Sequence, residues 1–203
     1  LIRIGEEKFR VFNTGNPYFV NIHNTQLINK KKLLKLLKIE KKYTNYIILI
    51  KHPLSSELDK LSEQMQITLQ SIEKFCLKYK YALLCISPNS DPGSKEIIRN
   101  INKYKHKNWF YFKKTLPRKL FINLMRHSKL LIGNSSMGIL EAPYYKIPVI
   151  NIGNRQKGRY NAGNVKFVKY NSINIFSALV DSCFNDKYIK KIENIKNPYG
   201  DKF

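Results

Sequence analysis

Residues 130–143 read Leu-Leu-Ile-Gly-Asn-Ser-Ser-Met-Gly-Ile-Leu-Glu-Ala-Pro. An apolar run gives way to Gly133-Asn134-Ser135-Ser136, and Glu141 follows Ser136 by five positions. The phrase reads as a buried strand, a tight loop of small hydroxylated residues and the start of a helix. Free N–H groups and partial positive charge at a helix N-terminus suit an anion, above all a phosphate. The hydroxyls of Ser135 and Ser136 add donors, and the glycines let a ligand approach the backbone. Glu141, less than two turns into the expected helix, could accept hydrogen bonds from ligand hydroxyls such as a ribose diol. One segment thus points to a nucleotide site. Simple helix capping by the serines is the plainer reading, and the two coexist, because a capping serine still presents N–H groups to an anion. A hydrolase nucleophile is disfavoured: the spacing is not Gly-x-Ser-x-Gly, and no His–Asp pair is placed to serve it.

Further polar residues fall where other apolar runs end. His52-Pro53 follows the run at 45–51, and His52 is either a ligand contact or a histidine that closes the sheet edge with a backbone hydrogen bond. Asn89 lies in Ser87-Pro88-Asn89-Ser90-Asp91-Pro92-Gly93, where it either contacts ligand or closes an Asx turn, and Ser94 is placed to cap the next helix. Glu141 sits among apolar residues, and a carboxylate there needs a partner. Arg155 lies in the basic loop Gly153-Asn154-Arg155-Gln156-Lys157-Gly158-Arg159, where a guanidinium could reach a diphosphate. His23, His106 and His127 have no partner pattern and read as structural.

The elements that must position these residues alternate. Strands are expected at Asn45–Lys51, Tyr81–Ile86, Trp109–Phe112, Lys129–Ile132, Ile147–Ile152 and Val165–Val168. Helices are expected at Leu58–Tyr79, Ser94–Tyr104, Arg118–His127, Ser136–Tyr145 and Ile173–Phe184, with apolar residues at helical spacing. The run Lys30-Lys31-Lys32 with Lys35 and Lys38, interleaved with Leu33, Leu34, Leu36 and Leu37, reads as a solvated helix face opposite an apolar one. This order implies an α/β fold, a doubly wound parallel sheet of Rossmann-like type with right-handed crossovers. Ligands of such sheets bind outside the carboxyl ends of the strands, and the residues picked for their chemistry lie almost entirely on that rim.

Composition narrows the classes. A chain of 203 residues with 43% hydrophobic content can bury a full core. No apolar run is long enough to cross a bilayer, and the chain opens on Leu1-Ile2-Arg3 without a basic-then-apolar leader pattern. Cys76, Cys85 and Cys183 are odd in number and lie in apolar patterns, which suggests reduced core thiols in a cytoplasmic protein and neither a disulfide nor a zinc site. The net charge of +23 invites a basic nucleic-acid-binding module. Yet only seven of the 37 basic residues are Arg, and the Lys are scattered along the whole chain. Phosphate and base recognition favour clustered Arg, so no nucleic-acid and no membrane partner is expected.

Taken together, the phrases resemble the hydrolysing UDP-N-acetylglucosamine 2-epimerases, which open sialic-acid-type pathways. The resemblance rests on Gly133–Glu141, Ile147–Arg159, Gly163-Asn164-Val165, Pro88–Ile98 and His52-Pro53. Gly15-Asn16-Pro17 looks like the family's interdomain segment and Tyr199-Gly200-Asp201 like its C-terminal signature. It implies the C-terminal half of a two-domain B-type glycosyltransferase-like fold, with residues 1–20 as an interdomain segment or remnant of the N-terminal domain and 21–203 as a UDP-binding Rossmann-like domain. It further implies that His52, Asn89, Thr115, Ser135, Ser136, Glu141 and Arg155 contact UDP, Thr115 through its backbone to the uracil. Lys95, Lys113 and Lys114 fall where some animal members bind a CMP-sugar inhibitor, and Lys114 departs from the His found there. The family reaction eliminates UDP and then hydrates the resulting glycal, giving a mannosamine-type sugar and free UDP. The proton-moving carboxylates belong to the N-terminal half, and His52 would stabilise departing phosphate charge as a catalytic residue of electrostatic kind. Neither cofactor nor metal is expected, the partners are the UDP-sugar and the N-terminal domain, and the intact protein is expected to be a homo-oligomer. Non-hydrolysing relatives favour Gly-Gly and Glu-Glu where this chain has Ser135-Ser136 and Leu140-Glu141. A non-hydrolysing epimerase or a UDP-sugar glycosyltransferase is the alternative.

Overall fold

The structure is a computed structural model and describes residues 1–12 and 17–200. Six strands form one parallel sheet: β1 (Asn45–Ile50), β2 (Tyr81–Ile86), β3 (Phe110–Lys113), β4 (Leu131–Gly133), β5 (Val149–Ile152) and β6 (Val165–Val168), in the order β3-β2-β1-β4-β5-β6. The helices are α1 (Pro17–Asn24), α2 (Lys30–Leu36), α3 (Leu61–Tyr79), α4 (Ser94–Asn102), α5 (Arg118–His127), α6 (Met137–Leu140), α7 (Ser172–Phe184) and α8 (Asp186–Glu193). This is the doubly wound α/β sheet expected from the alternation.

Strands buried on both faces read as continuous apolar runs. Accordingly, Tyr46 through Leu49 and Ala82 through Leu84 are wholly buried. Right-handed crossovers place α3 and α4 on one face as the chain steps outward from β1 to β3, and α5 and α6 on the other as it returns. On the first face α3 packs against α4 and α7, and on the second α2 packs against α5. Met65, Leu69, Ile72 and Phe75 form the buried stripe of α3, each fully withdrawn from water.

The strand order reverses between β1 and β4. Chain direction switches there, and the loops after the two strands splay apart to leave a crevice. The β1–β4 register pairs Ile50 with Gly133, so the residues that follow both strands emerge side by side.

Three local outcomes differ from the sequence reading. The helix expected over Ser136–Tyr145 is only Met137–Leu140, followed by turns to Lys146. Pro143 has no N–H to continue the ladder and disfavours helical backbone at Ala142, and Lys146 adopts a positive φ of 54°. Ser94 is the first residue of α4 and not its cap; Gly93 holds that place with a left-handed φ of 95°. Helices α1 and α8 were not expected. Phe19 and Ile22 of α1 pack with Ile122 and the aromatic rings of Tyr144, Tyr145 and Tyr199, and Arg126 donates to the carbonyls of Ile22 and Thr25 at 2.6 and 2.8 Å. The Gly15-Asn16 part of the interdomain phrase, and Asp201, lie outside the described residues. Among the described residues, no helix is long and apolar enough to cross a membrane.

Candidate functional site

The site is built where the ends of β1 and β4 meet. Gly133 closes β4 with φ +135°, and a Cβ there would stand 2.0 Å from the Ile50 carbonyl oxygen. Only glycine permits this approach. The next residue, Asn134, is buried and acts as a hub. Its backbone N–H donates to Ile50 O at 3.1 Å. Its side-chain oxygen accepts from the His52 N–H at 2.7 Å, and its side-chain nitrogen donates to the His52 carbonyl at 2.8 Å. One amide thus grips both polar backbone groups of His52. The carbonyl of Asn134 in turn accepts from Arg155 Nη1 at 3.2 Å and Gln156 Nε2 at 3.1 Å. Loops after β1, β4 and β5 are joined through this one residue.

The His52 ring is held as well. The Asn89 N–H donates to its Nδ1 at 3.1 Å, so the neutral ring carries its proton on Nε2. Burial, and then the nearby Arg155 guanidinium, pull its pKa below the usual imidazole value. At neutral pH the group is therefore a hydrogen-bond donor without a full charge. The plainer reading of His52, a backbone hydrogen bond at the sheet edge, describes Nδ1 correctly and leaves Nε2 for other work. The Asn89 side chain donates to the Asp91 carboxylate, and the Ser94 hydroxyl to the Asp91 carbonyl, so the turn reading of this segment holds for the side chain while the backbone supports His52.

Ser135 Oγ accepts from the Met137 N–H at 3.4 Å, and Ser136 caps α6 without a side-chain bond. With one helical turn behind it, the macrodipole adds less than a full helix would; the donors here are individual hydroxyl and N–H groups. Glu141 ends α6, is 7% exposed and faces Arg118 at 3.8 Å. Thr115 follows β3, the outermost strand, and is separated from β1 by the whole of β2. Lys95 lines a shallow hollow of about 320 Å³ with Ser87, Asn89, Ser94 and Arg99, while Lys113 and Lys114 follow the outer strand. A larger hollow of about 560 Å³ lies between α3 and α7, lined by Tyr79, Phe176 and Phe184; Phe184 meets Tyr81 at the amino end of β2, and no residue chosen for its chemistry lines the hollow.

The structure therefore gathers His52, Asn89, Ser135, Ser136 and Arg155 at the switch point, through Asn134 and Gln156, two residues the sequence reading passed over. A buried amide directly after a strand-ending glycine was the available signal for Asn134. Lys51 was also passed over as the last residue of an apolar strand. It is 2% exposed, and burial pulls its pKa down to about 8, with the Glu57 carboxylate opposing that shift. Tyr170 faces it with a phenol whose pKa burial pushes up, so that group stays neutral, and the Lys51 charge helps to hold the pKa of the adjacent His52 down. The sign follows from linkage. Below about pH 8 the folded state carries the whole cost of a buried ammonium; between that pH and the unfolded value near 10.5 the unfolded chain holds the extra proton, so stability rises with pH. Relative to Lys51→Met, wild-type stability in urea is expected to improve by about 2 kcal/mol from about pH 8 to about pH 10. A difference that stays flat over that range would show that Lys51 is solvated.

The arrangement is a set of donors (a guanidinium, an imidazole N–H, two hydroxyls) at the crevice of an open α/β sheet. It suits an anion with several oxygens, such as a diphosphate. Among the described residues, no three His, Cys, Asp or Glu side chains gather into a group that could hold a metal ion.

Comparison with known proteins agrees with the geometry. The family model described as UDP-N-acetylglucosamine 2-epimerase matches residues 1–202. A GDP/UDP-N,N'-diacetylbacillosamine 2-epimerase (hydrolyzing) of Campylobacter jejuni is 35% identical over 167 residues, 81% of this chain and 42% of that protein. A UDP-N,N'-diacetylbacillosamine 2-epimerase (hydrolyzing) of Legionella pneumophila is 30% identical over 99% of this chain and 51% of that protein. The crystal structure of a Neisseria meningitidis UDP-GlcNAc 2-epimerase bound to UDP-GlcNAc superposes with a TM-score of 0.69 at 21% identity, covering 98% of this chain and 53% of that one. The chain spans about half the length of the curated relatives it matches, and its fold is the C-terminal half of a two-domain B-type glycosyltransferase-like architecture.

Proposed function

The chain belongs to the UDP-N-acetylglucosamine 2-epimerase family, and from that premise we propose that it forms the UDP-holding half of a hydrolysing UDP-sugar 2-epimerase. The observation that carries the proposal is the meeting of His52, Ser135, Ser136 and Arg155 at the β1–β4 crevice through Asn134. Residues 21–203 are the UDP-binding domain in this reading, and residues 1–20 the segment leading from the N-terminal domain.

In the proposed mechanism the reaction breaks the bond between the sugar anomeric carbon and the UDP oxygen, and negative charge grows on the diphosphate as it leaves. Arg155 pairs with that charge, the Nε2–H of His52 donates to it, and the hydroxyls of Ser135 and Ser136 complete the cradle. Because His52 starts neutral, an approaching dianion raises its pKa and draws a proton onto it, which strengthens the bond as charge develops. Glu141 accepts from the ribose hydroxyls, with the Arg118 guanidinium facing its carboxylate at 3.8 Å. Asn89 contributes at the crevice edge, and Thr115 meets the uracil through its backbone. Abstraction of a carbon-bound proton needs a well-placed base, and in this reading that base lies in the other half of the protein. Water then adds to the glycal, giving a mannosamine-type sugar and free UDP, as in the making of sialic-acid-like sugars, by a cytoplasmic homo-oligomer.

Two features favour the hydrolysing reaction: Ser135-Ser136 and Leu140-Glu141 stand where non-hydrolysing enzymes favour Gly-Gly and Glu-Glu, and the Campylobacter and Legionella relatives are named as hydrolysing. Those names also favour a diacetamido-trideoxy sugar over N-acetylglucosamine. Product analysis of the intact protein with each UDP-sugar tests this: free UDP with a 2-epimeric sugar is expected, and a reversible mixture of two UDP-sugars would show the non-hydrolysing reaction instead. For residues 1–203 alone, NMR titration with UDP is expected to give a Kd on the order of 0.1–1 mM, about −5 kcal/mol, with no turnover of UDP-sugar. Absence of UDP binding at millimolar concentration would remove the reading, and turnover by this chain would overturn the division between halves.

A further inference from the structure

Lys51, buried at the end of β1, lies in a chain of polar contacts whose two ends arrive at the same loop. Its ammonium donates to Gln64 Oε1 at 3.4 Å and to the Tyr170 hydroxyl at 2.8 Å, and sits 4.7 Å from the Tyr170 ring centroid. On one side, Gln64 Nε2 donates to Glu57 Oε2 at 2.7 Å, and Glu57 Oε1 accepts from Asn154 Nδ2 at 3.2 Å. On the other, the Tyr170 hydroxyl donates to Ile152 O at 3.4 Å, and its ring lies against Gly153 so closely that a Cβ there would stand 2.6 Å from Cε2. These contacts fall on residues 152, 153 and 154, the three that precede Arg155. From the opposite direction Arg155 and Gln156 hold the Asn134 carbonyl.

We propose that Lys51, Glu57 and Tyr170 form a relay that positions the Arg155 guanidinium for a diphosphate, with Lys51 at its centre. The inference deepens the UDP-holding reading and rests on it. A buried ammonium is costly to fold around, and an apolar residue of like volume often serves a core as well or better. What the lysine adds is geometry. It links an α3 amide to a tyrosine beyond β6, and through them it sets both walls of the loop. An arginine held in place before the ligand arrives gives up less freedom on binding. In this reading the three act through Arg155 and not on the ligand itself, as positioning residues.

The test is an NMR titration of the 203-residue chain with UDP in two backgrounds. Lys51→Met is expected to weaken UDP about five- to tenfold when Arg155 is present, and by less than about twofold in Arg155→Ala, where no guanidinium remains to be positioned. Equal weakening in both backgrounds would overturn the relay. Glu57→Gln, on the partly exposed 3-10 turn between β1 and α3, leaves the core intact and is expected to show the same dependence on Arg155. Hydrogen exchange at residues 152–157 reads the relay without ligand. If the wild-type chain binds no UDP, the failure belongs to the UDP-holding reading, and exchange decides the relay: faster exchange of the loop in both variants supports it, and unchanged exchange overturns it.

Discussion

Gly133→Ala is expected to abolish cooperative folding of the chain. The new Cβ would stand 2.0 Å from the Ile50 carbonyl oxygen and 2.7 Å from its carbon, and these are backbone atoms of the central strand that cannot rotate away. Relief requires β4 to shift off β1, which breaks the ladder that pairs Ile50 with Gly133. The φ of +135° adds strain for any side chain. The combined cost is expected to exceed about 5 kcal/mol, the low end of the whole stability of a domain. Two controls grade the claim. Gly138→Ala meets the side chain of Val149, nearest at Cγ1, 2.7 Å, and a rotamer change can relieve it, so a loss of about 1–2 kcal/mol is expected. Gly158→Ala meets nothing within 4 Å and retains only the penalty of φ +79°, about 1 kcal/mol. Soluble yield and urea unfolding followed by circular dichroism measure all three. A Gly133→Ala chain with a wild-type urea midpoint would show that the β1–β4 contact is looser than the structure gives.

Local rules reach as far as local causes do. Tyr81–Ile86, Arg118–His127 and Val165–Val168 have the bounds their patterns predict, because apolar runs between breakers, or a helix opening after Pro117, depend on neighbours in sequence. The switch-point rim was legible for the same reason: residues after apolar strands must lie at strand ends. Helix α1 was not legible, since it packs on Ile122 and Tyr144 and is held by Arg126, about a hundred positions away. The length of α6 was misjudged because the apolar pattern of Ile139, Leu140 and Ala142 continues past the point where Pro143 ends the ladder. Asn134 and Lys51 escaped for a deeper reason. Their importance comes from partners 82 and 119 positions distant, and sequence order does not reveal which loops a crossover brings together.

The second large expected effect falls on Asn134. Asn134→Ala removes the acceptor of the His52 N–H and the donor to its carbonyl at once, while the backbone carbonyl that holds Arg155 and Gln156 stays. A part-buried N–H left without a partner costs about 1–3 kcal/mol, so the melting temperature is expected to fall by roughly 2–12 °C for a chain of this size. UDP affinity is expected to drop further than stability alone explains, by about thirtyfold, because the imidazole is no longer aimed into the crevice. Asn134→Asp separates the two contributions. It keeps an acceptor for the His52 N–H, but turns a second oxygen toward the His52 carbonyl and places a negative charge beside the proposed diphosphate. The aspartate variant is therefore expected to bind UDP more weakly than the alanine variant at neutral pH, and to recover affinity as the pH falls toward the range where a carboxylate takes up a proton. Calorimetry for stability and NMR titration with UDP for affinity distinguish the cases. If the aspartate variant binds UDP as well as wild type does, then Asn134 orients no group that meets the anion, and the crevice between β1 and β4 holds a different ligand.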